Sequence, residues 1–227
     1  MDIKIGERLL PVVMRRSAAA TRMSLRLAPA GESLLLVLPS DVPAAAGLAF
    51  VRTREDWIST RLSALPPRRP FADGATVPLL GVDHVIRHRP EARRGVWAED
   101  GVIGVSGPGE HLPRRVGDWL LREARAAIAP RAQAYAGRIG RSVHRITLRD
   151  PRSRWGSCSS RGDLSFSWRL VFAPLPVLEY VVAHEVAHLE ELNHSAAFWR
   201  VVDGLVDGVA EARGWLRRHG AGLHRLG

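Results

Sequence analysis

His184, Glu185 and His188 form the pattern H-E-x-x-H, and this spacing constrains the backbone that carries it. On an α-helix, residues four apart lie on the same side and about one turn apart, so the two imidazoles point at a common position. There they can bind one metal ion. Glu185, about 100° further around the helix axis, can reach a water at that ion. The pattern therefore predicts a helix with Glu185 as the candidate general base.

A third ligand is needed, because a catalytic zinc site usually has three protein ligands and one open position. His194 lies ten residues after His184, which is the spacing of the metzincin pattern H-E-x-x-H-x-x-G-x-x-H, although Glu191 occupies the position of its glycine. For His194 to fold back, the helix must end between residues 188 and 194. Asn193 is the candidate left-handed cap. The sequence predicts a Zn²⁺ site at His184, His188 and His194.

The alternative for His184 and His188 is a place on the outside of a helix whose core face contains Val182 and Val186. The surrounding residues 180–183 are almost entirely apolar, which disfavours solvated imidazoles and favours a partner such as a metal ion. Cys158 is the only cysteine, so it excludes an internal disulfide and a cysteine-rich metal site. As a zinc ligand or nucleophile Cys158 stays a minor alternative to a small buried side chain.

Neither a membrane span nor a secretory signal is visible in the sequence. The longest aliphatic run covers residues 34–38, whereas a spanning helix needs about 20 apolar residues. The first 16 residues contain charges and a proline where a signal peptide would be apolar. A lone cysteine fits a reducing compartment. We therefore expect a cytoplasmic protein without membrane association.

Hydrophobic periodicity predicts an α+β protein. Strands are expected within residues 12–28, 33–39, 77–88, 96–105 and 143–148, with a turn at 29–31 and one helix over 42–65. Further helices are expected from 116 to a kink or end before Pro130, from there to 139, and from 174 through the H-E-x-x-H pattern. The Gly107-Pro108-Gly109 break suggests a β-rich N-terminal domain over residues 1–110 and a catalytic domain over residues 111–227, although a loop within one unit fits equally well.

Residues 164–172 alternate cleanly between apolar and polar side chains. This period of two predicts a strand in a small mixed sheet, on which the helix of the H-E-x-x-H pattern packs. If that strand is an edge beside the helix, an extended peptide could pair with it. The pairing would position a scissile carbonyl near the metal.

Positive charge is concentrated between residues 114 and 161, which contain 12 arginines but only three acidic residues. Such a stretch can attract nucleic acid, a phosphorylated substrate or an acidic polypeptide. Neutralisation by neighbouring elements is the alternative, because charged runs are usually solvated surface. The adjacent Arg152 and Arg154 could bind an oxyanion or a carboxylate, or could serve packing.

Several short motifs resemble the YgjP-like metallopeptidases, relatives of the SprT-like and WLM groups within the zincin clan. They are Arg154-Trp155-Gly156-Ser157-Cys158-Ser159, Trp168-Arg169-Leu170-Val171, Ala173-Pro174, Tyr180-Val181-Val182, the H-E-x-x-H pentad, Asn193-His194-Ser195 and Phe198-Trp199. The resemblance extends weakly to the N-terminal strands. It implies a zincin-like fold for the catalytic domain over residues 111–227, zinc binding by His184, His188 and His194, and catalysis by Glu185. Ser167 and Val186 depart from the family's usual asparagine and leucine.

Together these features predict a zinc-dependent metallohydrolase, with a polypeptide as the expected substrate. The same chemistry would also serve a different hydrolysable bond, such as a nucleotide phosphoanhydride. A third hypothesis is a DNA-associated module with structural zinc, which would require a fourth protein ligand.

Overall fold

The computed structural model describes residues 1–28 and 30–227 of the chain and divides them into two compact units, Met1–Pro67 and Arg68–Gly227. The boundary differs from the one expected at residue 110 and lies in the proline-rich connector at 66–70. The reason is packing: Val77, Ile86 and Ile103 from the strands before residue 110 share one buried cluster with the later helices. The Gly107-Pro108-Gly109 break is a loop within the second unit.

In the first unit, four strands form a sheet of order β1-β2-β4-β3, in which only β2 and β4 pair in parallel. They are β1 (Asp2–Ile5), β2 (Arg8–Ser17), β3 (Ser24–Leu27) and β4 (Leu34–Pro39). The helix expected over residues 42–65 is instead two helices, α1 (Ala44–Arg52) and α2 (Glu55–Ser63). The first ends at Arg52 and is followed by the cap residue Thr53, whose hydroxyl donates to the carbonyl of Phe50. At the expected turn, Gly31 donates to the carbonyl of Ala28, while Pro29 lies outside the described residues.

The second unit contains two more sheets and four helices. One sheet has the order β5-β6-β8-β7 and the other β10-β11-β9, with β10 antiparallel and β9 parallel to β11. The strands are β5 (Thr76–Leu79), β6 (Val82–His88), β7 (Val96–Glu99), β8 (Val102–Val105), β9 (Arg145–Arg149), β10 (Gly156–Cys158) and β11 (Asp163–Ser167). The helices are α3 (Leu112–Arg138), α4 (Leu175–Ala187), α5 (Ala196–Leu205) and α6 (Val209–Leu223). The predicted α+β class is thus confirmed.

Helix α3 continues through Pro130, so the predicted alternative that the helix ends before this proline is wrong. Proline removes one backbone hydrogen bond, but the surrounding residues 124–132 are rich in alanine, which has the highest helix propensity. Burial of Ala124, Ala127 and Ile128 in the core provides further stabilisation.

The strand predicted over residues 164–172 is correct only for its first half. Strand β11 ends at Ser167, and Trp168–Phe172 form a 3-10 helix in which Leu170, Val171 and Phe172 are all buried. Alternation therefore ends where three consecutive residues enter the core. Strand β11 also lies between β10 and β9, so it is not the edge that was expected to bind a peptide. In the described part of the chain, the two edges are β10 and β9, and β10 is the one that packs against α4.

Helix α4 lies in the middle of the second unit and packs against α3, α5, α6 and strand β10. Pro174 and Pro176 flank its first residue, where no backbone N–H is needed for helical bonding. Most of its later side chains are buried, which explains the continuous apolar run around the H-E-x-x-H pattern. Among the described helices, none is both long enough and apolar enough to cross a membrane.

Candidate metal centre

His184, His188 and His194 meet at one place beside the end of α4. One ring nitrogen of each lies within 4.8 Å of the others, and the Nε2 atoms of His184 and His194 are 3.1 Å apart. Zinc–nitrogen bonds of about 2.0–2.1 Å in a tetrahedral arrangement separate two nitrogens by roughly 3.3 Å. The three imidazoles are therefore spaced to hold a single ion of this size.

The chain returns His194 to α4 without a left-handed residue. Helix α4 ends at Ala187, and the N–H groups of Leu189 and Glu190 donate to carbonyls three residues back. Asn193 has no positive φ, so its predicted role as a left-handed cap is wrong. Its side-chain oxygen instead accepts from the N–H of Ser195, whose hydroxyl caps α5 by accepting from the N–H of Phe198. Two side-chain caps replace the expected backbone turn.

The ring orientations of two histidines suit metal binding. The Nδ1 of His188 lies 2.9 Å from the carbonyl of Glu191 and donates to it, which leaves Nε2 as the free ligand atom. The Nδ1 of His184 is buried and has no hydrogen-bond partner among the described residues. An ion at Nε2 would therefore hold the ring of His184 without the outer hydrogen bond that metal-bound histidines usually make.

Electrostatics keeps His184 in its neutral, metal-binding form. Burial lowers the pKa of His184 to about 4, and the nearby His188, His194 and Arg213 lower it in the same direction. Arg213 stands on α6, with its guanidinium 4.7 Å from the ring centre of Trp199. Sequence reasoning missed Arg213, because nothing in its local pattern indicates that α6 returns to the end of α4.

Aromatic side chains support the three imidazoles. The ring centre of Phe198 lies 4.9, 4.5 and 4.8 Å from those of His184, His188 and His194. Trp199 lies about 6 Å from two of the same rings. The first turn of α5 therefore fixes the imidazoles from one side, and this explains why Phe198 and Trp199 belong to the characteristic motifs of the sequence.

Glu185 projects from the same helix turn toward strand β10. Its side chain is only 7% exposed and lies against the backbone of Gly156, so closely that there is no room for a Cβ atom at that position. Burial raises the pKa of the Glu185 carboxyl to about 7, although the positive charge of Arg154 lowers it in part. A carboxylate with such a pKa can accept a proton near neutral pH and release it again.

A cavity of about 260 Å³ adjoins the imidazole of His184 and the carboxylate of Glu185. Arg154, Tyr180 and Leu216 contribute to its walls. Of the two arginines considered from sequence, Arg154 is thus the one placed at this cavity. Cys158 does not belong to the group of possible metal ligands, and burial followed by the charge of Glu185 raises the pKa of its thiol to about 11. Such a thiol is a poor nucleophile at neutral pH.

Trp155, next to Gly156, stacks on the ring of His224 with 4.9 Å between their centres. His224 is 8% exposed, and burial, followed by the charge of Arg169, lowers its pKa to about 4. An unfolded chain has a histidine pKa near 6.5, so between these values the unfolded state binds more protons. Neutral His224 therefore stabilises the fold above about pH 6.5, and this stabilisation is lost as the pH falls toward 4.

We expect His224→Phe, which keeps a ring against Trp155, to lose part of the pH dependence of stability. Between pH 6.5 and 4, the metal-free variant should lose less unfolding free energy than the wild type, by on the order of 2 kcal/mol. Urea unfolding of the metal-free proteins measures this difference. His219→Phe is the matched control, because His219 is exposed and its ring also packs against a tryptophan, Trp215, with 4.9 Å between the ring centres. Equal pH dependence of the unfolding free energy in the wild type and in His224→Phe would contradict the lowered pKa of His224.

Three imidazoles and a buried carboxylate on and beside one helix form the type of site that metal-dependent hydrolases use. The YgjP-like metallopeptidase domain model matches residues 21–219, so the chain belongs to the YgjP-like family, as the motifs had indicated. It is therefore a metallopeptidase, a hydrolytic enzyme whose family implies a metal ion.

Among solved structures, the metallopeptidase zymogen of Pyrococcus abyssi abylysin matches with 21% sequence identity and a TM-score of 0.32. The match covers 48% of this chain and 96% of the archaeal one. No curated protein matches the chain.

Proposed function

We propose that the protein is a zinc-dependent peptidase in which His184, His188 and His194 hold the ion and Glu185 is the general base. The convergence of the three ring nitrogens within 4.8 Å of one another, next to a buried carboxylate, is the observation that carries this proposal. Three nitrogen donors suit Zn²⁺, and no further cysteine, aspartate, glutamate or histidine of the described residues joins the group. This donor set supports a catalytic rather than a structural ion.

When bound, zinc would lower the pKa of a coordinated water and polarise the scissile carbonyl. The protein's own contribution is proton transfer and positioning. An oxygen of the Glu185 carboxylate accepts a proton from the attacking water and delivers it to the leaving amine, for which a pKa near 7 is well suited. The backbone of Gly156 lies against this carboxylate and the positive charge of Arg154 lies near it, while Phe198 packs against the imidazoles.

The substrate chain would pair with strand β10. Within the described residues, this strand is one of the two edges of its sheet and the one that packs against α4, and its first residue, Gly156, touches Glu185. An extended peptide beside β10 would make main-chain hydrogen bonds and bring a peptide bond to the carboxylate. The peptide-pairing hypothesis thus applies to β10 in place of the buried centre strand β11.

Nucleic-acid binding by residues 114–161 is less well supported. Several arginines of this stretch are engaged within the fold: Arg131 pairs with Glu179, Arg114 pairs with Asp118, and Arg138 donates to the carbonyls of Gly204 and Leu205. Neutralisation by neighbouring elements accounts for part of the charge. Binding of DNA that weakens steeply with salt concentration would nevertheless favour a DNA-associated role.

Removal of the third imidazole should reduce metal binding. We expect His194→Ala to lower zinc affinity by about 100-fold or more, beyond the 10–100-fold loss typical of residues that only support a ligand. Competition with a chromogenic chelator measures the affinity. His219→Ala, which removes an exposed histidine, is the control. Unchanged affinity in His194→Ala would exclude His194 as a ligand.

The reaction class is tested by incubating the zinc-loaded protein with a peptide library and identifying products by mass spectrometry. We expect new amino and carboxyl termini at defined peptide bonds. Cleavage of a nucleoside triphosphate under the same conditions, with an intact peptide library, would favour the phosphoanhydride hypothesis instead. Because the lone Cys158 is a free thiol, we propose the cytoplasm as the compartment.

A further inference from the structure

A groove of about 650 Å³ lies over one face of the β10-β11-β9 sheet, outside the metal centre. Strand alternation and register place Thr147, Ser165 and Ser157 in one row across this face, with Arg145 beside Asp163 in the next. The opposite face contains Leu164 and Phe166, which are buried in the core. The groove is therefore a polar surface formed by hydroxyl and charged side chains, and no role in the metal centre accounts for it.

The carboxylates of the groove are already engaged. Asp150 accepts two hydrogen bonds from the guanidinium of Arg169, at 2.6 and 3.0 Å. Asp163 lies 2.7 Å from the Nδ1 of His144 and also accepts from the hydroxyl of Ser159, and the hydrogen bond from His144 is the main reason that its pKa is lowered. Arg145 adds a nearby positive charge that lowers the same pKa.

The cationic groups of the groove are less engaged than its carboxylates. Within the described part of the chain, the side chains of Arg149 and Arg154 make neither a hydrogen bond nor an ion pair. Both side chains are exposed and line the groove. An anion bound here would meet planar guanidinium groups that can form paired hydrogen bonds with a carboxylate. The free donors of the groove therefore point to an anionic ligand.

The groove and the metal centre share two residues. Arg154 and Gly156 line both the groove and the smaller cavity that contains His184 and Glu185. Strand β10 supplies the edge on which a substrate would pair, and Ser157 and Cys158 continue from Gly156 into the groove. A peptide that passes Glu185 along β10 therefore places neighbouring side chains over the groove.

We propose that this groove is a specificity site for acidic side chains, so that the substrate is a polypeptide segment containing glutamate or aspartate near the cleaved bond. The proposal rests on the peptidase function proposed above. Arg149 and Arg154 bind the carboxylate, while the hydroxyl row of Ser157, Thr147 and Ser165 supplies further hydrogen bonds.

The lining residues favour a peptide over nucleic acid. None of the residues that line the groove is aromatic, so the groove lacks the stacking surface on which proteins usually bind single-stranded bases. Duplex binding typically uses about 6–10 phosphate contacts, whereas the groove offers three guanidinium groups and contains two carboxylates. A carboxylate side chain needs only one or two of these guanidinium groups.

The test uses two fluorogenic peptides that differ only by glutamate or glutamine beside the cleaved bond. For the wild-type zinc enzyme, we expect kcat/KM for the glutamate peptide to be about 10-fold to 100-fold higher, as for hydrogen bonds to a charged group. In Arg149→Gln the ratio of kcat/KM for the glutamate peptide to that for the glutamine peptide should fall to within about 3-fold of one. Arg149→Lys keeps the charge without the paired donors, so its ratio should lie between those of the wild type and Arg149→Gln. Arg122→Gln, an exposed arginine of α3 outside the groove, should keep the wild-type ratio.

Equal kcat/KM for the two peptides in the wild type, or an unchanged ratio in Arg149→Gln, would overturn the proposal. If neither peptide is cleaved, their binding to the same proteins is measured by fluorescence anisotropy. This measurement separates the proposed role of the groove from the proposed peptidase function. An Arg149-dependent preference for the glutamate peptide without cleavage would then support the groove and contradict the peptidase function. Tighter Arg149-dependent binding of a single-stranded oligonucleotide than of the glutamate peptide would assign the groove to nucleic acid instead.

Discussion

Glu185→Gln is expected to retain the metal ion and to lose about 10²-fold to 10⁴-fold of kcat in peptide hydrolysis. Glutamine has nearly the same shape as glutamate, so it still fills the space beside Gly156, but its amide cannot accept the proton of the attacking water. The carboxylate is only 7% exposed, which restricts replacement of the base by bulk solvent. The loss should therefore appear in kcat more than in KM.

Glu190→Gln is the matched control for this variant. Glu190 follows the H-E-x-x-H helix, has an exposed side chain and is not part of the group of possible ligands. It should keep both the metal stoichiometry and kcat. Full activity in Glu185→Gln, with metal content equal to that of the wild type, would exclude Glu185 as the base.

Gly156→Ala tests the contact that positions this base. A Cβ atom at residue 156 would lie 2.5 Å from Oε1 and 2.7 Å from Cδ of Glu185, so the carboxylate must move. Gly156 does not have a positive φ, and the backbone itself therefore accepts alanine. Because a displacement of about 1 Å in a catalytic group can cost on the order of 100-fold in rate, we expect a loss of that size in kcat.

Gly137→Ala is the control for the added methyl group. A Cβ at this position of α3 meets no atom within 4 Å, and alanine is a better helix former than glycine. This control should keep wild-type activity and melt at an equal or higher temperature. Zinc affinity should be unchanged in both variants, because neither touches a histidine ligand. Wild-type kcat in Gly156→Ala would show that Glu185 needs no support from β10.

The metal centre could be predicted from sequence because its geometry is mostly local. Helical periodicity alone places His184 and His188 together, and the short segment after α4 limits where His194 can go. The local backbone was harder to predict: Asn193 acts through its side chain, since the N–H groups of Leu189 and Glu190 already close the turn after α4. Alternation over residues 164–172 fits a strand and a buried 3-10 turn equally well.

Contacts between distant segments could not be predicted in this way. The positive charge of Arg213, on α6, acts on the imidazole of His184. The boundary between the two units depends on which core receives the strands before residue 110. Strand order also depends on such long-range pairing, which is why β10 and β9, rather than β11, are the edges of this sheet. Each of these features is set by packing between segments far apart in the sequence.

X-ray absorption spectroscopy at the zinc edge of the loaded protein tests the central claim most directly. The three-histidine site predicts three imidazole nitrogens at about 2.0–2.1 Å and one further oxygen donor from solvent, with one nitrogen scatterer fewer in His194→Ala. A sulfur scatterer near 2.3 Å, or a shell of four protein donors that His194→Ala does not change, would contradict it.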